Sequence, residues 1–289
     1  VQATGHVPIP AVRLPSGRRV PALGIGTWRM GERSGERTAE VAALRRAIEH
    51  GAALIDTAEM YADGGAERVV AEAIRGLRER VTIVSKVLPT NASRRGVAQA
   101  CERSLRRLGC DRIDLYLLHW RARVPLAETV EAFERLKSDG RIGDWGVSNF
   151  DAADLAELGG LPAGTACATN QVYYALSQRG CEFDLLPAMA ACGMPAMAYC
   201  PLDEGRLADH PALRPIAREL GATSAQVALA WLLAPRAGRP PVIVIPKTAS
   251  VARVDENVAA AARRLDATQQ AALDAAFPPP RRATPLAMV

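Results

Sequence analysis

Apolar residues along this chain fall into two alternating patterns. Short, nearly continuous apolar runs are separated by longer stretches in which apolar positions recur every three or four residues. The short runs are VPALGIGTW (20–28), AALIDTA (52–58), VTIVSKV (81–87), RIDLYLLHW (112–120), IGDWGVSNF (142–150), ACATNQVYY (166–174), MPAMAYCPL (194–202) and PVIVIPKT (241–248). Such runs predict strands, and their unbroken apolar character predicts strands covered on both faces. The longer patterns predict helices over 35–51, 64–80, 93–109 and 125–140, with Gly51, Gly109 and Gly140 as stops. Strands alternating with helices predict a parallel sheet, because parallel neighbours need a crossover between them. Eight of them predict an α/β fold, a closed (β/α)8 TIM barrel, with residues 1–289 forming a single domain. The first 20 residues are expected to make a lid at the barrel bottom, and the tail from Phe277 to run outside it. A doubly wound sheet would want G-x-G-x-x-G after its first strand. Gly24, Gly26 and Thr27 are instead followed by Trp28, Arg29 and Met30.

Composition narrows the function classes. With 49% hydrophobic and 23% charged residues in 289, the chain is neither disordered nor collagen-like. Its 36 basic and 31 acidic residues leave +5, and the arginines sit in pairs between acidic residues rather than in a nucleic-acid arm. No stretch approaches the roughly 18 apolar residues of a membrane span. Residues 1–10 lack a basic segment followed by an apolar core, so a cytoplasmic location without a secretory signal is expected. The cysteines at 101, 110, 167, 181, 192 and 200 form no C-x-x-C and no zinc-ligand spacing. Reduced thiols, no metal and a monomer are the expectation.

Among the basic residues, 33 are Arg and only three are Lys: Lys86, Lys137 and Lys247. A compact ammonium with a shiftable pKa is something a guanidinium cannot imitate, so each Lys is a candidate for chemistry. Lys137, at the end of a predicted helix, fits a solvated surface role. Residues two apart share a strand face. Leu54 and Asp56, then Thr82, Val84 and Lys86, then Ile113, Leu115, Leu117 and His119 form three series that are mostly apolar and end on an ionisable group. In a barrel those ends meet at the rim where chemistry is done. Asp56, Lys86 and His119 would gather there, with Tyr61 on the loop beyond Asp56. A nearby ammonium lowers a phenol's pKa from its usual value of about 10. Lys86, held by Asp56, would therefore make Tyr61 a better acid, and His119 would orient a carbonyl oxygen. This is a proton-donating site for carbonyl reduction, with the hydride coming from a cofactor. A Schiff-base aldolase using Lys86 is the enzymatic alternative.

In LIDTAEMY (54–61), VSKV (84–87), DLYLLHW (114–120), GVSNF (146–150), NQVYY (170–174), AYCPL (198–202), IPKT (245–248) and RVDEN (253–257), the sequence resembles the aldo-keto reductases over essentially its whole length. ALIDTAEMYADGGAE and the ending LAMV are most similar to the bacterial branch that includes methylglyoxal reductases. The resemblance implies NADPH-dependent reduction of small aldehydes and ketones on a (β/α)8 barrel, with Asp56, Tyr61, Lys86 and His119 as the catalytic tetrad. It implies cofactor contacts from Gly26 and Thr27. Ser148, Asn149 and Gln171 would hold the carboxamide, and Tyr199 would stack on the nicotinamide. Pro201, Leu202, Gly205, Arg206 and Leu207 would lie along the pyrophosphate. Lys247, Thr248 and Arg253 would form the 2′-phosphate site, with Glu256 and Asn257 at the adenine and Ile245 as a further cofactor contact. Trp28, Met60, Leu88 and Trp120 are the candidate substrate mouth. Cys200 stands where the family usually has Ser, and the loop after the fourth run is short. Some relatives bind NADPH as regulatory or redox-sensing subunits, which is the non-enzymatic alternative.

Overall fold

The computed structural model describes residues 7–289. Its eight-stranded sheet runs in chain order: β3 (Ile25–Gly26), β4 (Leu54–Asp56), β5 (Thr82–Val87), β6 (Ile113–Leu118), β7 (Ile142–Ser148), β8 (Asn170–Tyr173), β9 (Ala196–Tyr199) and β10 (Val242–Val244). Each neighbouring pair is parallel. Parallel bridges from Leu23 to Val244 and from Gly26 to Lys247 join the first strand to the last and close the barrel. Every expected strand is present and shorter than its apolar run, and several runs, such as 52–58 and 241–248, continue past the strand into the loop at the rim.

The crossover helices include α1 (Arg37–Glu49), α2 (Gly65–Ala73), α3 (Arg94–Leu108) and α4 (Leu126–Ser138). The Ser93 side chain caps α3 by accepting from Gly96 N at 3.2 Å, and Gly109 ends it at φ +63°. The second helix stops at Ala73 rather than near 80, because the chain turns through Gly76 at φ +77°. Six more helices follow: α5 (Ala152–Gly159), α6 (Leu185–Ala191), α7 (Arg214–Glu219), α8 (Ser224–Leu233), α9 (Val251–Ala259) and α10 (Ala267–Ala276). Among the described residues, no helix is long and apolar enough to cross a membrane.

Two cores result. Leu54, Val84, Leu115, Leu117, Met197, Ile243 and Ile245 fill the barrel interior, and a larger shell packs between strands and helices. Ile113, expected on the interior face, packs in that shell instead. A hairpin of β1 (Ala11–Arg13) and β2 (Arg19–Pro21) plugs the floor with Val12, Leu14 and Val20. Arg18 fastens it to Asp114 at 3.1 Å and Asp144 at 3.2 Å. Asp144 also takes Lys137 Nζ at 3.3 Å, so this lysine is paired rather than merely solvated. The tail packs against the larger shell. Leu286 and Ala287 pack on the core, and the tail walls a cavity of about 400 Å³ with Tyr173, Ser177 and Arg179.

Candidate active site

Parallel pairing aligns strand ends. β4 ends at Asp56, β5 carries Lys86 next to its last residue, and His119 follows β6. Lys86 is fully buried. Its ammonium donates to Asp56 Oδ2 at 2.8 Å, the Thr57 carbonyl at 2.8 Å and Tyr61 Oη at 3.1 Å. An ammonium has three hydrogens, so this one is saturated. Burial works against its charge, but Asp56 and Tyr61 outweigh it and hold the Lys86 pKa above its ordinary value. Burial also raises the Tyr61 pKa, and Lys86 opposes this only in part. The expected net acidification of Tyr61 is thus corrected: its phenol stays protonated at neutral pH, with the ammonium limiting the rise. Because Tyr61 Oη accepts from Lys86, its own hydrogen is left to donate elsewhere.

His119 lies edge-on to Tyr61, with ring centroids 5.7 Å apart. Burial, helped by the charge of Lys86, pushes its pKa down to about 2, so the ring is neutral. Its Nδ1 is sealed with no partner among the described residues. The single N–H is therefore best placed on Nε2. Asp56 Oδ1 accepts from Gln171 Nε2 at 2.7 Å.

A second network adjoins these four. Ser148 Oγ donates to the Gln171 carbonyl at 2.9 Å, and Asn149 Nδ2 donates to Ser148 Oγ at 3.2 Å and to the His119 carbonyl at 3.1 Å. Tyr199 donates to Asn149 Oδ1 at 2.9 Å. The Tyr199 ring stacks on Tyr173, whose hydroxyl donates to buried Asp203. In the following segment Pro201 and Leu207 are buried, Leu202 is half-buried, and Gly205 is exposed at φ +96°. Leu207 belongs to the core, so its side chain is not available to a ligand. Arg206 is committed to Asp203 at 3.1 Å and Glu204 at 3.3 Å. Cys200 is half-buried, and burial lifts its thiol to about 11, which disfavours a reactive thiolate.

Around the closing strand, Gly26 is pressed against the Ile245 carbonyl: a Cβ there would lie 3.2 Å from it. Thr27 Oγ1 donates to the Asp56 carbonyl at 2.9 Å. Ile245 is sealed in the barrel interior, so only its backbone faces the rim. Lys247 and Arg253 are exposed, and neither has an acidic partner among the described residues. Thr248 Oγ1 accepts from Ser250 N at 3.1 Å, and Ser250 caps α9 at Arg253 N. Asn257 is buried, and the Glu256 carboxylate accepts from Thr223 at 2.5 Å. At the mouth, Trp28, Leu88 and Trp120 are half-buried and Met60 is 42% exposed. Trp120 packs on His119 with centroids 4.9 Å apart.

Sequence reasoning missed several supports. Glu59, buried two residues before Tyr61, accepts from Leu88 N at 2.8 Å, Asn91 Nδ2 at 2.9 Å and Arg103 at 3.3 Å. It ties the Tyr61 loop to the loop after Lys86, and only its adjacency to Tyr61 could have flagged it. The Thr57 carbonyl, Tyr173, Asp203 and Ser250 are likewise visible only in three dimensions. Strain marks the same rim: Arg29, Ala62, Asp63, Asn149, Cys200, Asp203 and Glu204 all have φ between +47° and +64°.

The barrel rim thus carries a buried Asp56–Lys86 pair bonded to half-buried Tyr61, beside a neutral histidine. Residues 22–277 match the aldo/keto reductase family. The chain belongs to that family and is an oxidoreductase. It is 50% identical over 275 residues to the methylglyoxal reductase YeaE of Escherichia coli K12, covering 93% of this chain and 95% of that one. An aldo/keto reductase from Klebsiella pneumoniae, crystallised with NADP and acetate, superposes with a TM-score of 0.93 at 50% identity, over 96% of this chain and 99% of that one. A Klebsiella pneumoniae aldo-keto reductase in complex with NADPH gives a TM-score of 0.93 at 49% identity, over 98% of this chain and 100% of that one.

Proposed function

We propose that this enzyme reduces small aldehydes and ketones to alcohols with NADPH, α-oxoaldehydes such as methylglyoxal foremost, and that Tyr61 is the proton donor. The observation that carries the reading is the saturation of Lys86: all three of its hydrogens are used, one on Tyr61 Oη, so the phenolic hydrogen is directed away from the lysine. A carbonyl oxygen beside Tyr61 would receive that hydrogen as negative charge develops on it. The Lys86 ammonium would then stabilise the phenolate left behind, and Asp56 keeps that ammonium in place. Neutral His119 would donate its Nε2 N–H to the same oxygen and fix its direction.

The residues fit a dinucleotide. Two exposed cations without acidic partners among the described residues, Lys247 and Arg253, flank the capped start of α9, where an adenosine phosphate would add charge complementarity. Gly205, exposed at φ +96°, leaves backbone open to close approach. Ser148, Asn149, the Gln171 amide oxygen and Tyr199 offer a polar edge and a flat ring for the nicotinamide. Bound there, NADPH supplies the hydride. The choice of α-oxoaldehydes is supported by the likeness to the Escherichia coli methylglyoxal reductase and by a mouth of apolar and aromatic side chains. The test is a panel of methylglyoxal, other α-oxoaldehydes, simple aldehydes and keto acids, read as NADPH oxidation at neutral pH. Methylglyoxal among the highest kcat/KM values is expected; no turnover of any carbonyl would overturn the reading.

A further inference from the structure

Asp56 has two carboxylate oxygens, and Lys86 holds only one. The other accepts from Gln171 Nε2 at 2.7 Å, a contact between residues 115 apart in sequence. In the closed ring of strands β8 lies opposite β4, so this amide spans the barrel mouth from wall to wall. We propose that Gln171, besides facing the cofactor, is a positioning residue: its amide fixes the Asp56 carboxylate so that Lys86 stays against Tyr61. The inference rests on Tyr61 being the proton donor.

Gln171 is built to hold a position. It is 2% exposed, and its backbone is paired with Ser148 on one side and Met197 on the other. Its carbonyl accepts from Ser148 Oγ and Asn149 N, each at 2.9 Å, and Met197 Sδ braces its Nε2 at 2.8 Å. No donor among the described residues faces its amide oxygen, which leaves that oxygen for the nicotinamide carboxamide. One side chain would then touch the cofactor with its oxygen and Asp56 with its nitrogen. Without the N–H, Asp56 Oδ1 is buried and unpartnered, and the carboxylate is free to turn. The contact from Lys86 to Tyr61, at 3.1 Å the longest of its three, is the first that such a turn would lengthen. The ionisable groups facing this chain are Asp56 on β4, Tyr61 on the loop after it, Lys86 on β5, neutral His119 after β6, and Tyr199 and Cys200 at the end of β9.

Gln171→Glu separates the two roles. It keeps an acceptor oxygen for the carboxamide and exchanges the donor facing Asp56 for an oxygen that donates only while protonated. The experiment measures the NADPH dissociation constant by fluorescence quenching, and kcat at saturating NADPH and methylglyoxal from pH 5 to 9. For Gln171→Glu, NADPH affinity near wild type is expected. Its kcat should approach wild type at acidic pH and fall by about tenfold to a hundredfold once the new carboxyl ionises. Gln171→Leu should lose kcat at every pH. A Gln171→Glu profile of wild-type shape and height, or a Gln171→Leu enzyme that loses NADPH affinity alone, would overturn the inference while leaving Tyr61 as donor. Should Tyr61→Phe turn over normally in the same assay, the underlying reading falls instead. Gln171→Glu keeps the shape of the side chain, so it decides the matter whatever Gln171→Leu does to folding.

Discussion

Among the residues at the rim, His119 is held far from its solution chemistry. Free imidazole titrates near 6.5, whereas here burial and then the charge of Lys86 push the value to about 2. Between those two values the unfolded chain binds a proton that the folded chain refuses. Stability therefore rises with pH across this window, and is lost as pH falls below about 6.5 at about 1.4 kcal/mol per unit. Going from pH 7 to 5 should cost about 2 kcal/mol through this residue alone. Urea unfolding of wild type and His119→Asn at both pH values checks it: the variant should lose less stability between them. Equal losses would mean that His119 is protonated in the fold. The meeting of these side chains at one rim was legible because Asp56, Lys86 and His119 each close an alternating apolar series on its own strand. The direction of the Tyr61 shift was not, since burial of a phenol depends on neighbours far away in sequence.

At the level of elements, the strands were read more fully than the helices. Continuous apolar runs bounded by turns mark buried strands directly. Helices α1, α3 and α4 pack one face and expose the other, so their periodicity shows. By contrast, α8 is buried from Ser224 to Leu232, and a helix covered all round has no polar face to betray its period. α9 is the element with most bearing on cofactor choice. Its first turn carries Arg253, with Lys247 on the loop before it, and both cations are exposed. NADP has a 2′-phosphate where NAD has a hydroxyl, and charge-assisted hydrogen bonds contribute about 1.5–3 kcal/mol each. Arg253→Ala should weaken NADPH binding by about tenfold or more and leave NADH binding nearly unchanged. Paired dissociation constants for both cofactors and both proteins decide it. Equal losses for the two cofactors would reduce Arg253 to a surface residue.

For the molecule as a whole, barrel closure turns eight separate strand ends into one site. The bridges from Leu23 to Val244 and Gly26 to Lys247 bring the first and last strands together, and Gln171 reaches Asp56 only because the sheet is a ring. The count of strands made this architecture legible. The floor hairpin's ion pairs and the packing of the tail on the outer shell were not, because they depend on contacts between distant segments such as Arg18 with Asp114. The ring also gathers the proposed proton transfer into a chain of four side chains, of which Asp56, Lys86 and His119 are buried and Tyr61 half-buried, and one atom is then decisive. Tyr61→Phe removes the hydroxyl and keeps the ring. The direct test measures kcat for methylglyoxal with saturating NADPH, alongside the NADPH dissociation constant. The account predicts a loss of about 100- to 10,000-fold in kcat with cofactor affinity unchanged; turnover close to wild type would contradict it.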